Sequence, residues 1–168
     1  AAFMGYHKKD AGGVWYLSNS ATGYENQFEV KGVNKKVSIP KVDFGSYDLV
    51  FIQGSNPVVS APNTKRVIDG LKNSFVVYFG TTYNETCEYA NLIIPSTPFL
   101  GKNDVRLSYG HEFKSISNIV KDKSQNSISE YDITNFLLEQ FGFKKLKDED
   151  EIISYYENHK PKLEDFET

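Results

Sequence analysis

The residues best suited to chemistry are polar groups that directly follow short apolar runs. The first set is Gly54-Ser55-Asn56-Pro57, placed immediately after Leu49-Val50-Phe51-Ile52. Gly54 admits close backbone approach, Ser55 and Asn56 bring polar atoms, and Pro57 stiffens the exit. Such a loop can cradle a phosphate or pyrophosphate. It matches neither G-x-G-x-x-G nor G-x-x-x-x-G-K-[ST], so it is no ordinary dinucleotide or P-loop fingerprint. A tight turn without a ligand accounts for the same four residues about equally well. The second set is Thr81-Thr82, after Phe75-Val76-Val77-Tyr78-Phe79. Hydroxyls and N–H groups ahead of a helix start can hold an anion or a nucleotide. Simple capping by Thr82, with Glu85 as its partner, is the competing reading. The third set leaves Leu92-Ile93-Ile94 through Pro95-Ser96-Thr97-Pro98 and runs on through Lys102, Asp104, Arg106, Ser108, Tyr109 and His111. Lys102 and Arg106 suit phosphate, and a solvated loop is the plain alternative.

No complete catalytic centre is visible, and neither catalytic nor metal-ligating residues are expected. His7, His111 and His159 are too scattered for a local metal motif. The single cysteine, Cys87, excludes an internal disulfide, a C-x-x-C redox pair and a cysteine-built zinc or iron–sulfur site. Its setting in a short helix predicts a buried small hydrophobe. There is no G-x-S-x-G elbow. A net charge of −3 argues against a nucleic-acid partner. No apolar run approaches the roughly 20 residues that span a bilayer, so no membrane insertion is expected.

The elements that must position these groups follow from the apolar pattern. With 168 residues, 39% of them hydrophobic and 24% charged, the composition is that of one globular domain with a core. The three apolar runs are rich in β-branched and aromatic residues without clean alternation, which predicts strands of a parallel sheet buried on both faces. About two dozen residues separate the first two runs, enough for a crossover helix. Pro62-Asn63-Thr64 opens that helix, with Val67, Ile68 and Leu71 on one face. A shorter helix is expected from Thr82, where Thr82 and Glu85 have capping-box spacing. The predicted fold is α/β: a Rossmann-like three-layer domain with a mainly parallel central sheet.

In such sheets ligands sit outside the carboxyl ends of the strands, which is where all three polar sets fall. A single domain over 1–168 is expected, with an N-terminal turn, strand and polar loop (1–46), a nucleotide-binding core (47–120) and C-terminal helices (121–168). Gly12-Gly13 leads into a strand at Val14-Trp15-Tyr16-Leu17, and Lys35-Lys36 lie in a surface loop or hairpin. Ile133, Phe136, Leu137 and Phe141 predict an amphipathic helix ended by Gly142. Asp148 and Glu151 cap another, bearing Ile152, Ile153 and Tyr156 and stopping before Pro161. The tail 162–168 is charged and frayed. The opening Ala1-Ala2-Phe3-Met4-Gly5 predicts a piece of a longer chain.

Together these segments resemble the molybdopterin (bis-guanine dinucleotide) oxidoreductases related to dimethyl sulfoxide reductase and formate dehydrogenase. Residues 47–57, Tyr-Asp-Leu-Val-Phe-Ile-Gln-Gly-Ser-Asn-Pro, are similar to that family's strand and G-x-N-P loop, and Ser60-Ala61-Pro62-Asn63-Thr64 to its continuation. Residues 84–95, Asn-Glu-Thr-Cys-Glu-Tyr-Ala-Asn-Leu-Ile-Ile-Pro, resemble its T-E-T-A-x-x-A-D-x-x-L-P signature. The resemblance implies one of a pair of Rossmann-like domains, holding the guanine dinucleotide half of a molybdopterin cofactor. It implies cofactor contacts from Gly54, Ser55, Asn56 and Pro57, with Ser60, Thr81 and Thr82 as neighbouring candidates; Lys102, Asp104 and Arg106 join the candidate cofactor-binding set from the polar run after the third strand. The intact parent would carry molybdenum or tungsten and an iron–sulfur cluster elsewhere, and would catalyse two-electron redox chemistry. Its partners would be the remaining domains of the parent and electron-transfer subunits, with this piece inactive alone. An export signal would lie upstream, so cytoplasm and periplasm are both open.

Three positions depart from the family pattern. Gly80 stands where many members carry an acidic residue, Asn91 replaces the usual Asp, and Gly101 replaces a frequent Glu before Lys102. These departures keep a second expectation alive: a pterin-free structural domain, as in the large iron–sulfur subunit of respiratory NADH dehydrogenase.

Overall fold

A computed structural model describes residues 37–107, 114–121 and 125–158. The strand expected at 14–17, Lys35-Lys36, Ser108, Tyr109, all three histidines and the tail 162–168 lie outside the described residues. The described residues form two compact units, 37–102 with 119–146 and 103–118 with 147–158.

The first unit is built on a parallel sheet in the order β1 (Leu49–Gln53), β2 (Phe75–Gly80), β3 (Leu92–Pro95). Leu49 pairs with Phe75 and Val77 with Leu92. Between β1 and β2 the chain makes the short helix α1 (Pro57–Ser60) and the crossover helix α2 (Thr64–Lys72). Asn63 starts α2 from a left-handed conformation (φ 61°), which Asn tolerates, and its side chain accepts the Arg66 N–H at 3.2 Å. Val67 and Leu71, one helical turn apart, are 2% and 1% exposed. Burial of each contributes about 1.5–3 kcal/mol. They meet Val50, Ile52, Val76 and Tyr78 from the sheet, with Val58, Ala61 and Cys87 completing the core. Cys87 is thus the buried small hydrophobe its position suggested.

Two expectations are corrected. Burial on both faces holds for β2, whereas β1 alternates and β3 is largely exposed. Helical cover lies on the Val50 and Ile52 side, while Leu49 and Phe51 on the other side of β1 stay 59% and 39% exposed. The short helix is a 3-10 turn over Glu85–Tyr89, capped by Asn84 and not by Thr82. The Asn84 side chain accepts the Thr86 N–H at 3.1 Å, and its own N–H reaches the Cys87 sulfur at 3.4 Å. The Thr82 carbonyl instead accepts the Tyr78 hydroxyl at 3.3 Å.

Beyond β3, the extended segment at Ile128 bridges Ser96 in parallel, through Thr97 N–H to Ile128 O and Ile128 N–H to Pro95 O. This pairing brings the start of α3 (Glu130–Gln140) to the carboxyl end of the sheet. Ser129 caps that helix by accepting the Asp132 N–H at 3.1 Å. Gly142 ends it with φ 74°, with Gly142 N–H to Glu139 O and Phe143 N–H to Leu138 O in a Schellman arrangement. Its amphipathic face is only partly used: Ile133 is buried, but Phe136 and Phe141 are exposed. Ahead of the sheet, residues 37–46 make two 3-10 turns, Ile39–Lys41 and Phe44–Ser46.

In the second unit β4 (Asp104–Leu107) and β5 (Lys114–Ser117) pair antiparallel, Arg106 opposite Ser115. Residues 104–107 are therefore a strand where a polar loop was the alternative. Helix α4 (Glu149–Asn158) begins as expected at Asp148, whose side chain accepts the Asp150 N–H at 3.0 Å. Ile152, Ile153 and Tyr156 are half-buried on it.

Candidate functional site at the carboxyl edge of the sheet

The parallel register brings the ends of β1 and β2 level, with Gln53 opposite Phe79. Just beyond them opens a cleft of about 480 Å³. Gln53 and Gly54 line it from β1, Phe79, Gly80 and Thr81 from β2, Ser96 from beyond β3, and Glu130 from the start of α3. Gly54 has φ 56°, a conformation that side chains disfavour, and a Cβ there would meet open space. Its N–H extends the ladder to Phe79 O at 2.9 Å. The chain therefore turns away from the sheet at Gly54 while still anchored to it.

The loop residues predicted from sequence separate into different roles. Asn56 is held inside the fold: its Nδ2 donates to Glu85 Oε2 at 2.7 Å, and its Oδ1 accepts the Thr86 hydroxyl at 2.7 Å. Ser60 turns its hydroxyl back onto Asn56 O at 2.8 Å, and Pro57 is buried at the start of α1. Val58 N–H is taken by Thr86 Oγ1 at 3.3 Å. Ser55 is exposed and, with the backbone N–H of Asn56, stands apart from these ties among the described residues. Thr81 lines the cleft and Thr82 beside it is exposed. Lys102 forms an ion pair with Glu130. Asp104 and Arg106 belong to the other unit, on β4.

Glu130 is the cleft residue that sequence reasoning missed. One of its oxygens pairs with Lys102, and Ser96 donates to the other at 3.4 Å. It lies 34 positions after Ser96, so no local motif joins them. The usable signal was Ser129, a helix cap following an extended segment: helices of a parallel α/β sheet that follow a strand start at the carboxyl edge.

Gly80 has a steric explanation. A Cβ at residue 80 would lie 2.7 Å from the Tyr78 hydroxyl oxygen and 2.8 Å from its ring. Tyr78 is 2% exposed, its hydroxyl accepting Asn84 Nδ2–H at 2.7 Å. Burial raises the Tyr78 pKa above the ordinary tyrosine value, with the nearby Cys87 thiol adding to the rise and the Asn84 hydrogen bond opposing it. Glu85 is shifted the other way: hydrogen bonds from its own backbone N–H and from Asn56 favour its carboxylate. A carboxylate at residue 80 would have to displace the buried tyrosine.

A second cleft, of about 450 Å³, lies against the outer side of α2. Among its charged groups, Lys65 pairs with Asp69 at 2.5 Å and Arg66 Nη2 donates to Pro40 O at 2.9 Å. Among the described residues no three His, Cys, Asp or Glu side chains gather as a metal site, and no helix is long and apolar enough to cross a membrane.

A cleft of several hundred Å³ at the carboxyl ends of parallel strands, lined by backbone, hydroxyls and one carboxylate, is the setting of a nucleotide- or cofactor-binding α/β domain. Residues 3–140 match the family described as molybdopterin oxidoreductase, and the chain belongs to that family. It is 32% identical over 108 residues to the probable oxidoreductase YoaE of Bacillus subtilis, a match spanning 62% of this chain and 16% of that protein. It is 28% identical over 95 residues to the assimilatory nitrate reductase catalytic subunit of the same organism, spanning 56% of this chain and 12% of that one. The chain thus corresponds to a small part of either relative.

Proposed function

We propose that the first unit binds the guanine dinucleotide portion of a molybdopterin cofactor, as one part of a larger oxidoreductase. The observation that carries this is the cleft of about 480 Å³ joining Gly54, Thr81 and Glu130 at one sheet edge. Its size suits a nucleotide, and its groups divide between two kinds of ligand atom. Ser55 with the backbone N–H of Asn56, and the hydroxyls of Thr81 and Thr82, are donors for phosphate oxygens. The Glu130 carboxylate accepts hydrogen bonds and repels phosphate, so it faces the donor-rich nucleoside: ribose hydroxyls or the N1–H and N2–H₂ edge of guanine. Lys102 neutralises and orients Glu130 in place of meeting phosphate directly. When bound, the metal-bearing pterin supplies the two-electron redox chemistry, and this unit supplies binding and orientation. The proposed site is drawn from residues of the first unit; Asp104 and Arg106 lie on β4 of the other unit. For the intact parent, two-electron redox activity with electron-transfer partners is proposed on family membership alone.

The test is the cofactor content of the intact parent protein, purified from cells able to make the cofactor. Molybdenum or tungsten together with guanosine monophosphate released by acid hydrolysis is the expected result. Folded full-length protein lacking both would overturn the assignment and favour the pterin-free structural domain, the reading that the crowded Gly80 position keeps in play.

A further inference from the structure

We propose that Thr86, which no ligand can touch, is the positioning residue that holds the glycine loop after β1 in its binding shape. This rests, for its consequence on ligand, on the cofactor reading above. Thr86 is 0% exposed and sits in the turn Glu85–Tyr89, outside the cleft. Its hydroxyl carries out two tasks at once: it donates to Asn56 Oδ1 at 2.7 Å and accepts Val58 N–H at 3.3 Å. Its own N–H is held by Asn84 at 3.1 Å, so the hydroxyl projects from a fixed base.

The loop needs such a strut. At one end Gly54 N–H is tied to Phe79 O, and at the other Pro57 and Val58 are buried. Between these anchors Gly54 and Ser55 are exposed, and the Asn56 side chain ties the loop to the turn Glu85–Tyr89. Of its two ties, Glu85 is exposed and competes with water, whereas Thr86 is buried where an unmade hydrogen bond is costly. The buried tie therefore sets the orientation of Asn56, and Asn56 sets the direction of the two amides ahead of Pro57. A methyl in place of the hydroxyl keeps the volume of the side chain and removes both bonds.

The experiment compares Thr86→Val, Thr86→Ser and Val67→Ala in the full-length protein prepared without cofactor. Val67 is a buried core residue of α2 outside the cleft and serves as a control for general destabilisation. Two quantities are read: hydrogen exchange of the Val59 and Ser60 amides, which donate to Asn56 O at 3.1 and 2.9 Å, and the affinity for guanosine diphosphate. In Thr86→Val exchange at both amides should accelerate by about tenfold, and the diphosphate should bind about five- to tenfold more weakly, the range expected for one buried hydrogen-bonding group. Thr86→Ser, which restores the hydroxyl, should return both to within about twofold. Unchanged exchange in Thr86→Val, or equal acceleration in Val67→Ala, would overturn the proposal. If exchange behaves as expected while even the unaltered protein fails to bind the diphosphate, the positioning role stands and the cofactor reading fails.

Discussion

Two hydrogen-bonded clusters flank the same sheet edge, and each contains a glutamate and a hydroxyl residue. In the Asn56–Glu85–Thr86 cluster the hydroxyl is fully buried and bridges two segments 30 residues apart. In the Ser96–Lys102–Glu130 cluster the serine is buried, but the carboxylate is half-exposed and lines the cleft. The same residue types therefore do different work. Where hydrogen-bonding capacity is spent within the fold, the cluster sets geometry; where a carboxylate keeps lone pairs facing open space, it can meet a ligand. A motif is informative about location without saying which of its side chains is on offer. Asn56, the residue that made the loop look like a binding loop, turns its side chain inward.

Four experiments would break or sharpen this contrast. The largest effect is expected from Gly80→Asp, which puts a carboxylate on a second residue lining the cleft. The clash with Tyr78 should cost about 1–3 kcal/mol of unfolding free energy in urea titrations. A neutral or stabilising outcome would mean that residue 80 is free to carry an acid and that Glu130 is not needed to supply one.

Glu130→Gln should leave stability within about 1 kcal/mol, because the Lys102 pair is partly exposed. The same change should weaken binding of guanosine diphosphate by about tenfold, or about 1.4 kcal/mol, by calorimetry. Comparison with 2′-deoxyguanosine and inosine diphosphates tells which donors Glu130 reads: loss of discrimination against one of them names the ribose or the base. Equal affinity of the Gln variant and the unaltered protein for all three ligands would remove Glu130 from the site.

Tyr78→Phe tests the inner side of the comparison. It should cost about 0.5–1.5 kcal/mol at neutral pH through the lost Asn84 bond. Because the folded state raises the Tyr78 pKa, that residue's contribution is complete below the ordinary value near pH 10 and is lost as pH rises through the folded value. The gap between the two proteins should therefore narrow in urea titrations carried above about pH 10. A constant gap would show that the phenol ionises alike in both states.

The smallest effect belongs to Glu85→Gln. The folded state lowers the Glu85 pKa, so its contribution is present above the ordinary glutamate value and is lost as pH falls through the folded value. The acid limb of stability below about pH 4.3 should become shallower in the variant, and an identical acid limb would show that the hydrogen bonds to its carboxylate, from its own backbone N–H and from Asn56, are not retained in solution. The exposure of Glu85 keeps this effect small.

Much of the first unit was legible in the sequence. The three apolar runs are the three strands, and Asn63, Val67 and Leu71 mark α2 as they predicted. Asp148 and Gly142 mark helix ends as expected. These are local signals, set by side-chain volume, periodicity and capping within a few residues. The misreadings are all non-local. The exposed face of β1 depends on which side of the sheet the helices cover, and the start of the 3-10 turn was decided by Asn84 reaching both Tyr78 and Thr86. Thr82 has the right spacing for a cap, but its carbonyl is already the acceptor for a buried tyrosine.

By itself, then, the sequence determined the parallel α/β core and the loops that must end at its carboxyl edge, because hydrophobic pattern and strand polarity require no knowledge of distant contacts. The family could be read there too, from two motifs in order. Only the tertiary structure decided which polar groups those loops keep for themselves. Thr86 reaches Asn56 across 30 positions and Glu130 reaches Ser96 across 34, and pairings of that span form only when the sheet brings the segments together. The Lys102–Glu130 ion pair, 28 positions apart, is of the same kind.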